Sequence, residues 1–402
     1  MISSALGRCI FMKEAVIVSA TRTPVGKFGG ALKDLSAPKL GSIVVREAVR
    51  RAKVSPKEIE ECIMGNVLAA GLGQNPARQA ALHGGLTEEV AALTINKVCG
   101  SGLKAVMLAS DAILAGKERI IVAGGMESMS NSPYLLEKAR FGYKMGDSQI
   151  VDSMVRDGLW DIFNNFHMGN TGEIVAQRNA ITRQDADKFS LWSQQKAVQA
   201  IKSGAFKDEI VEVEIESKKE KIVVSVDEGP REDSTLEGLA KLKPVFKNDG
   251  ILTAGNSSTI NDGASATVVM DFELAKEKGL KPLVRIVDYL TVGVRPELLM
   301  EAPIHAVKKL LNRNNLQIGD IDLIEHNEAF STASIATMRA LAIPESRFNV
   351  NGGAVALGHP IGCSGARVLT TLIYAMKARG AKRGIATLCL GGGNAVAMLV
   401  EQ

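Results

Sequence analysis

Two kinds of apolar run alternate along the chain. The stretch KEAVIVSATRTPVG (residues 13–26) is apolar almost without a break and closes on a Pro/Gly turn, the pattern of a buried strand. Helical spacing follows from about Leu40 to Ala52. IEECIMGNVL (59–68) then predicts another strand, and RIIVAGGMES (119–128) a short apolar strand closed by glycines. Strands alternating with helices predict an α/β fold with mostly parallel sheets covered on both faces.

The last third of the chain repeats part of the first. GSGLKAVMLASDAILAGKERIIVAGG (100–125) lies on CSGARVLTTLIYAMKARGAKRGIATLCLGG (363–392), with Ser101-Gly102 over Ser364-Gly365. In both, a Ser-Gly pair opens an apolar helix, an Ala/Gly stop follows, and a strand flanked by basic residues comes next. The helices are apolar nearly all round (Val106, Met107, Leu108, Ile113, Leu114; Val368, Leu369, Leu372, Ile373, Met376), so they belong inside the protein. Two similar α/β halves packed through buried central helices is the economical reading. Between them, residues 127–250 are less regular. This region contains the helix-like TRQDADKFSLWSQQKAVQAIKSG and a charged stretch, as expected of an inserted region that forms a lid or ligand-binding domain.

Charge narrows the choice of partner. The 402 residues carry 48 basic and 44 acidic side chains, dispersed along the chain. That argues against a nucleic-acid partner and leaves room for a local basic site for an anionic ligand. Five cysteines, at 9, 62, 99, 363 and 389, show neither CxxC spacing nor a histidine cluster. A disulfide scaffold and a metal site are therefore not expected, and a reducing, cytoplasmic setting is. No apolar stretch reaches membrane-span length, so no membrane partner is expected. The opening MISSALGRCIF is short for a targeting segment, and residues 1–11 read as a start-site extension ahead of Met12.

Five short segments carry candidate chemistry. In NKVCGSGLKA (96–105), Cys99 is either inert core filler or a nucleophile at a strand-to-helix turn, where the helix N-terminus would favour its thiolate. NGGAVALGHPIGCSGAR (351–367) holds His359 in a glycine-rich turn before a buried helix, a good setting for an acid–base histidine. In ATLCLGGGNAVAML (386–399), Cys389 meets three glycines whose amides are candidates for an anion pocket. EHNEAFST (325–332) offers Asn327, equally readable as a helix cap, and TAGNSSTINDGAS (253–265) as a plain turn.

Taken together, CGSG, NEAF, GHPIG-x-SG and C-x-GGG, in that order and at these separations, resemble the thiolase family. SATRTPVGKFGG and TAGNSSTINDGA match as well, and the resemblance runs from about Met12 to Gln402. FNNFHMGNTGE is similar to the biosynthetic, acetoacetyl-CoA-forming type. The resemblance implies a fold of two similar βαβ-containing halves with central helices buried between mixed sheets, plus a loop domain, usually in tetramers. On this chain that gives a first half over 12–126, an inserted loop domain over 127–250, a closing part over 251–282 and a second half over 283–402.

The resemblance also implies roles. Cys99 matches the acyl-accepting nucleophile and Cys389 the cysteine that takes and returns protons. His359 and Asn327, the latter through a water, match one oxyanion hole, and the amides of Cys99 and Gly391 a second. Ser258, His167 and Met168 match residues lining the pantetheine channel, and Arg231 one near the adenine of coenzyme A. Acetyl-CoA and acetoacetyl-CoA are the implied substrates, with no cofactor beyond the coenzyme A thioester itself. His326, Cys363, Asn394, Ala395, Thr259 and Gly238 depart from the usual family residues, and none of them removes a catalytic group. Three other readings remain at this point: a degradative 3-ketoacyl-CoA thiolase, a decarboxylating ketoacyl synthase and an inactive acyl-CoA carrier. A synthase would be expected to carry a second catalytic histidine where Cys389 stands.

Overall fold

In the computed structural model, residues 13–216 and 221–402 are described, and the opening MISSALGRCIF lies outside them. The first half contributes β1 (Ala15–Arg22), β2 (Glu61–Gly65), β3 (Ala91–Ile95), β4 (Ile120–Ser128) and β5 (Asn261–Asp271). The second contributes β6 (Val284–Gly293), β7 (Leu323–His326), β8 (Arg383–Leu390) and β9 (Asn394–Glu401). They form one sheet in the order β7-β8-β9-β6-β1-β5-β4-β2-β3, with the short strand Gly26–Lys27 added beside β5. Read outward from the middle, the order is the same on both sides. β6, β9, β8 and β7 answer to β1, β5, β4 and β2.

Two details correct the expectation. The two half-sheets join edge to edge, where β1 meets β6 through only Val16↔Arg285 and Ile17↔Val284. The sheet is also more antiparallel than parallel. β2–β3, β2–β4 and β7–β8 are parallel, whereas β1–β5, β1–β6, β4–β5, β6–β9 and β8–β9 are antiparallel. Periodicity could not reveal this, because a strand buried on both faces gives the same continuous apolar run whichever way its neighbour points.

Alternate residues of the strands serve two cores, as a period of two demands. Val16, Val18, Val122 and Val268 pack with the outer helix α1 (Ala37–Ala52). Ile17, Ile121, Ala123 and Val269 turn to the shared core, which holds α2 (Ser101–Leu114) and α7 (Ser364–Arg379). These two are the repeat-related helices. They meet at their first turns because Gly102 and Gly365 have no Cβ: one at Gly102 would fall 2.7 Å from Ala366 N, and one at Gly365 2.4 Å from Leu103 N. α2 is not buried throughout, since Leu114 in its last turn is 46% exposed.

Four more helices complete the frame of the site: α3 (Gly169–Arg178), α4 (Arg183–Ser203), α5 (Ala302–Arg313) and α6 (Ser331–Leu341). The helix-like pattern after residue 180 is α4, opened by a Thr182/Asp185 capping box and stopped by Gly204 in the left-handed region. The inserted region is clamped to the first half. Buried Arg22 of β1 pairs with Glu209 at 2.6 Å and Asp227 at 2.7 Å. Leu159, His167, Met168, Gln194 and Arg231 of this region line the cavity that follows.

Candidate active site

Cys99 stands between β3 and α2, on a turn fixed by its neighbours. Val98 adopts φ 47°, a costly conformation for a β-branched residue. Ser101, the first residue of α2, holds it there: its Oγ donates to Val98 O at 2.6 Å and accepts from Lys97 N–H at 2.8 Å. The bare Cα of Gly100 lies close against Leu390: a Cβ there would fall 2.4 Å from its Cδ2. This close approach sets the cysteine of one half against the end of β8 in the other.

Cys389 is the next-to-last residue of β8, buried, with its Sγ 3.6 Å from Met300 Sδ. After β8 the chain turns through Gly392 and Gly393, both with φ near 80°, and Gly393 O accepts from Val294 N at 2.6 Å. The amides of Gly391 and of Cys99 itself point at the Cys99 sulfur and favour its thiolate. Burial outweighs them. The Cys99 thiol is pushed up to about 12, and Cys389 is raised as well, by burial first and then by its neighbour Cys99. This corrects the expectation of a ready-made thiolate. The helix N-terminus is present, but desolvation of the anion at the cavity floor is the larger effect.

His359 enters from the second half. Its backbone N–H donates to Asn261 Oδ1 at 3.0 Å, and Nδ1 lies 2.6 Å from Ser364 Oγ. Gly358, at φ 105°, lets Asn261 pack directly beneath the chain. Burial, and then the charge of Arg367, bring the imidazole down to about 3, so it rests neutral. Asn327 follows β7 and is buried, its Nδ2 3.4 Å from both ring nitrogens of His359 and its Oδ1 without a protein partner. It is not a helix cap, since α6 starts at Ser331 with Phe330 in the cap position. Glu328 anchors the turn by accepting from Ser193 Oγ, Asn349 Nδ2 and Val355 N.

These groups close the floor of a cavity of about 770 Å³. Cys99, His359, Cys389, Gly391, His167, Met168, Arg231 and Ser258 all line it, while Asn327 sits behind His359 and outside the wall. His167 stacks on Phe246 at 4.8 Å, and Phe246 meets Phe330 edge-on at 5.7 Å, giving the channel one aromatic side. Arg231 is exposed at the rim, its amide held by Gln194 Oε1 at 2.8 Å.

Four residues at the site escaped sequence reasoning. Met300 lines the cavity with nothing local to mark it, and Phe330, which also lines it, was in view only as the last letter of NEAF. Asn261 carried a signal in TAGNSSTINDGAS that also fits an ordinary turn. Glu127 is a buried carboxyl that accepts from Asn66 Nδ2 and from the amides of Val67, Leu68 and Gly362, and burial pushes it up to about 7. It ties the loop after β2 to the loop carrying His359.

Two thiols, a neutral imidazole and inward-facing amides meet at the end of a long channel, a candidate acyltransferase centre built across two similar α/β halves. The chain matches the thiolase N-terminal domain over residues 15–273 and the thiolase C-terminal domain over 280–402. It is 53% identical over 392 residues to an acetyl-CoA acetyltransferase of Escherichia coli, covering 97% of this chain and all of that one. It is 51% identical to an acetyl-CoA acetyltransferase of Cupriavidus necator over the same share of this chain and the whole of that one. The crystal structure of the Bacillus anthracis acetyl-CoA acetyltransferase superposes with a TM-score of 0.95 at 43% identity, covering 97% of this chain and 99% of that one. The chain belongs to the thiolase family.

Proposed function

We propose that the protein joins two molecules of acetyl-CoA into acetoacetyl-CoA and free coenzyme A, and runs the reverse thiolysis, through an acetyl thioester on Cys99. The observation that carries this is the meeting of Cys99, Cys389, His359 and the Gly391 amide on one cavity floor, with Asn327 at 3.4 Å from the imidazole. All the reacting groups rest neutral, so the route is a proton relay. The Cys99 proton passes to His359 as the sulfur attacks the thioester carbonyl. The amides of Cys99 and Gly391 take up the oxyanion. The C–S bond to coenzyme A breaks, and the leaving sulfur takes the Cys389 proton.

The second half follows from the charges left behind. Cys389 is now a thiolate, poised to remove the α-proton of a second acetyl-CoA. The imidazolium of His359 and a water on Asn327 face the thioester oxygen where the enolate charge develops. The carbanion attacks the acetyl group, the Cys99 sulfur is expelled, and it recovers its proton from His359. Each group ends as it began. A thioester made from a thioester is nearly isoenergetic, which suits a reaction that runs both ways.

His167, Met168 and Ser258 would line the pantetheine arm, with Arg231 at the nucleotide end. Met168 lines the same cavity, its methyl lying 3.7 Å from where a Cβ on Gly391 would be. That supports a short-chain preference over a broad degradative one. The route calls on no cofactor besides the coenzyme A thioester. We read the chain as two halves, 12–126 with 251–282 and 283–402, around a loop domain at 127–250. Among the described residues no helix is long and apolar enough to cross a membrane. A cytoplasmic setting and a homo-oligomer, with a tetramer favoured, complete the reading. The oligomer is supported by edge strand β3, which leaves Leu93 42% exposed and is open to pairing.

Mass spectrometry of the protein mixed with acetyl-CoA tests the core of the proposal. An acetyl adduct confined to Cys99 is expected, and coenzyme A binding without one would leave an inactive carrier. Comparing acetoacetyl-CoA with longer 3-ketoacyl-CoAs tests the chain-length preference.

A further inference from the structure

The first turn of α7 carries a buried hydroxyl that this scheme does not use. Ser364 Oγ lies 2.6 Å from His359 Nδ1 and 2.9 Å from Pro360 O. Asn327 approaches both ring nitrogens equally, at 3.4 Å, so it cannot decide which of them carries the proton. Among the described residues, Ser364 is the ring's hydrogen-bond partner that singles out one nitrogen.

The direction of that bond follows from the carbonyl of Pro360, which can only accept the hydroxyl's single proton, and the other half offers a parallel. Ser101 opens α2 as Ser364 opens α7, and there the roles are unambiguous because an amide N–H only donates. Ser101 Oγ accepts from Lys97 N–H and gives its single proton to the carbonyl of Val98. Ser364 makes a comparable pair of contacts one residue further back: its Oγ faces the carbonyl of Pro360, four residues before it, and the ring nitrogen of His359 in place of a backbone amide. We propose that Ser364 is a positioning residue that spends its proton on Pro360 O, accepts from His359 Nδ1–H, and so leaves the Nε2 lone pair for the proton of Cys99. The inference rests on the acyl-transfer reading above and adds the tautomer on which that reading depends.

The arrangement costs no rearrangement during turnover. Nδ1–H donates to Ser364 in both the neutral ring and the imidazolium, so only Nε2 changes state. The charged and titratable neighbours of the ring are Arg367 on α7 and the thiols of Cys99 and Cys389. Asn261, Asn327 and Ser364 are neutral. Arg367 repels a proton from the resting ring, and its guanidinium nitrogens have no protein partner. A ring held neutral in this way must be in the correct tautomer to act as a base.

Nitrogen-15 NMR of histidine-labelled protein, with His359 assigned by substitution, reads the tautomer directly. A protonated Nδ1 and bare Nε2 are expected, and the opposite tautomer overturns the proposal. Ser364→Ala should shift the ring toward a mixture of tautomers. It should slow acetylation of Cys99 by about 10- to 100-fold, with a small change in KM for acetyl-CoA. An unchanged tautomer with a wild-type acetylation rate also overturns it. If the variant does not fold, the wild-type spectrum still decides. A wild-type ring with Nδ1–H in a protein that never acetylates Cys99 would refute the proposed reaction while leaving the positioning role intact.

Discussion

In the first half, β2 ends at Gly65 opposite Gly125 of β4, Asn66 follows, and Glu127 stands two residues further along β4. In the second half, β7 ends at His326 opposite Thr387 of β8, Asn327 follows, and Cys389 stands two residues further along β8. The geometry matches and the use differs. Asn66 Nδ2 donates to Glu127 at 2.7 Å, and that carboxyl accepts three backbone amides besides. Asn327 Nδ2 reaches only the His359 ring, and Cys389 meets only the sulfur of Met300. The Glu127 carboxyl is bound on both oxygens and is scaffold, whereas the Cys389 thiol opens on the cavity and can act; the amide oxygens of Asn66 and Asn327 alike have no protein partner. On the proposed reaction, one half holds the site together and lends it a nucleophile, and the other supplies the groups that move protons.

The cysteines should break this comparison most visibly if it is wrong. Cys99→Ala should abolish acetylation and both reaction directions. Cys389→Ala should still accumulate acetyl-Cys99 yet lose condensation by roughly a thousandfold or more, because the nucleophile survives and the base is gone. Stopped-flow coenzyme A release and steady-state condensation, measured together, separate the two. Condensation by Cys389→Ala near the wild-type rate would remove it from the mechanism.

The paired asparagines give a sharper test. Asn327→Ala should lower turnover by about a hundredfold while the stoichiometry of acetylation stays the same, since its water serves the enolate. Asn66→Ala breaks a buried bond to a carboxyl and should cost about 1–3 kcal/mol of stability, with turnover per folded molecule little changed. Urea melts alongside kcat would show the crossing pattern. If both variants lost turnover equally, the division between scaffold and site would not hold.

A smaller effect is expected where the halves touch. Gly102→Ala and Gly365→Ala each push a methyl onto the other helix's backbone, at 2.7 Å and 2.4 Å, and should cost about 1–3 kcal/mol. Gly319→Ala, which meets nothing within 4 Å, is the neutral control. Thermal melts that fail to separate these variants would mean the helix starts are less tightly packed than the contacts imply.

Much of this site was legible before any coordinates. Ser-Gly pairs opening two apolar helices announced the repeat, and CGSG, NEAF, GHPIG and C-x-GGG marked candidate residues that the fold brings together around one cavity floor. Strand direction was not legible, because the apolar run of β1 reads alike in either orientation. Nor was the state of Cys99: the helix start after it is a local signal, whereas the apolar cluster it packs against, Val67, Leu68, Met129, Met154 and Ile361, is drawn from segments far apart in the chain. Glu127 was missed for the same reason, since its partners Asn66 and Gly362 come from distant loops.

His326 allows the finest comparison, because Gly65 holds the equivalent place and cannot titrate. His326 is fully buried, its Nδ1 3.0 Å from Ser334 Oγ and its ring stacked on Phe348, and burial brings it down to about 3. An unfolded histidine takes up its proton near pH 6.5. Between those values the unfolded chain binds the extra proton, so His326 makes stability fall as the pH drops through that window. His359 acts in the same sense. Glu127, raised to about 7, acts in the opposite one and favours the folded state as the pH falls from there toward the ordinary carboxylate range. The wild-type profile is therefore a composite, and only a difference isolates one group. His326→Asn keeps a polar atom toward Ser334 and removes the titration. The variant will be less stable at about pH 7.5 from lost packing, but its deficit should shrink by about 1.4 kcal/mol on going to about pH 5.5. Urea denaturation at the two pH values measures that change. Parallel profiles would mean that His326 is protonated inside the fold, with the solvation that its burial among Phe348 and β7 denies.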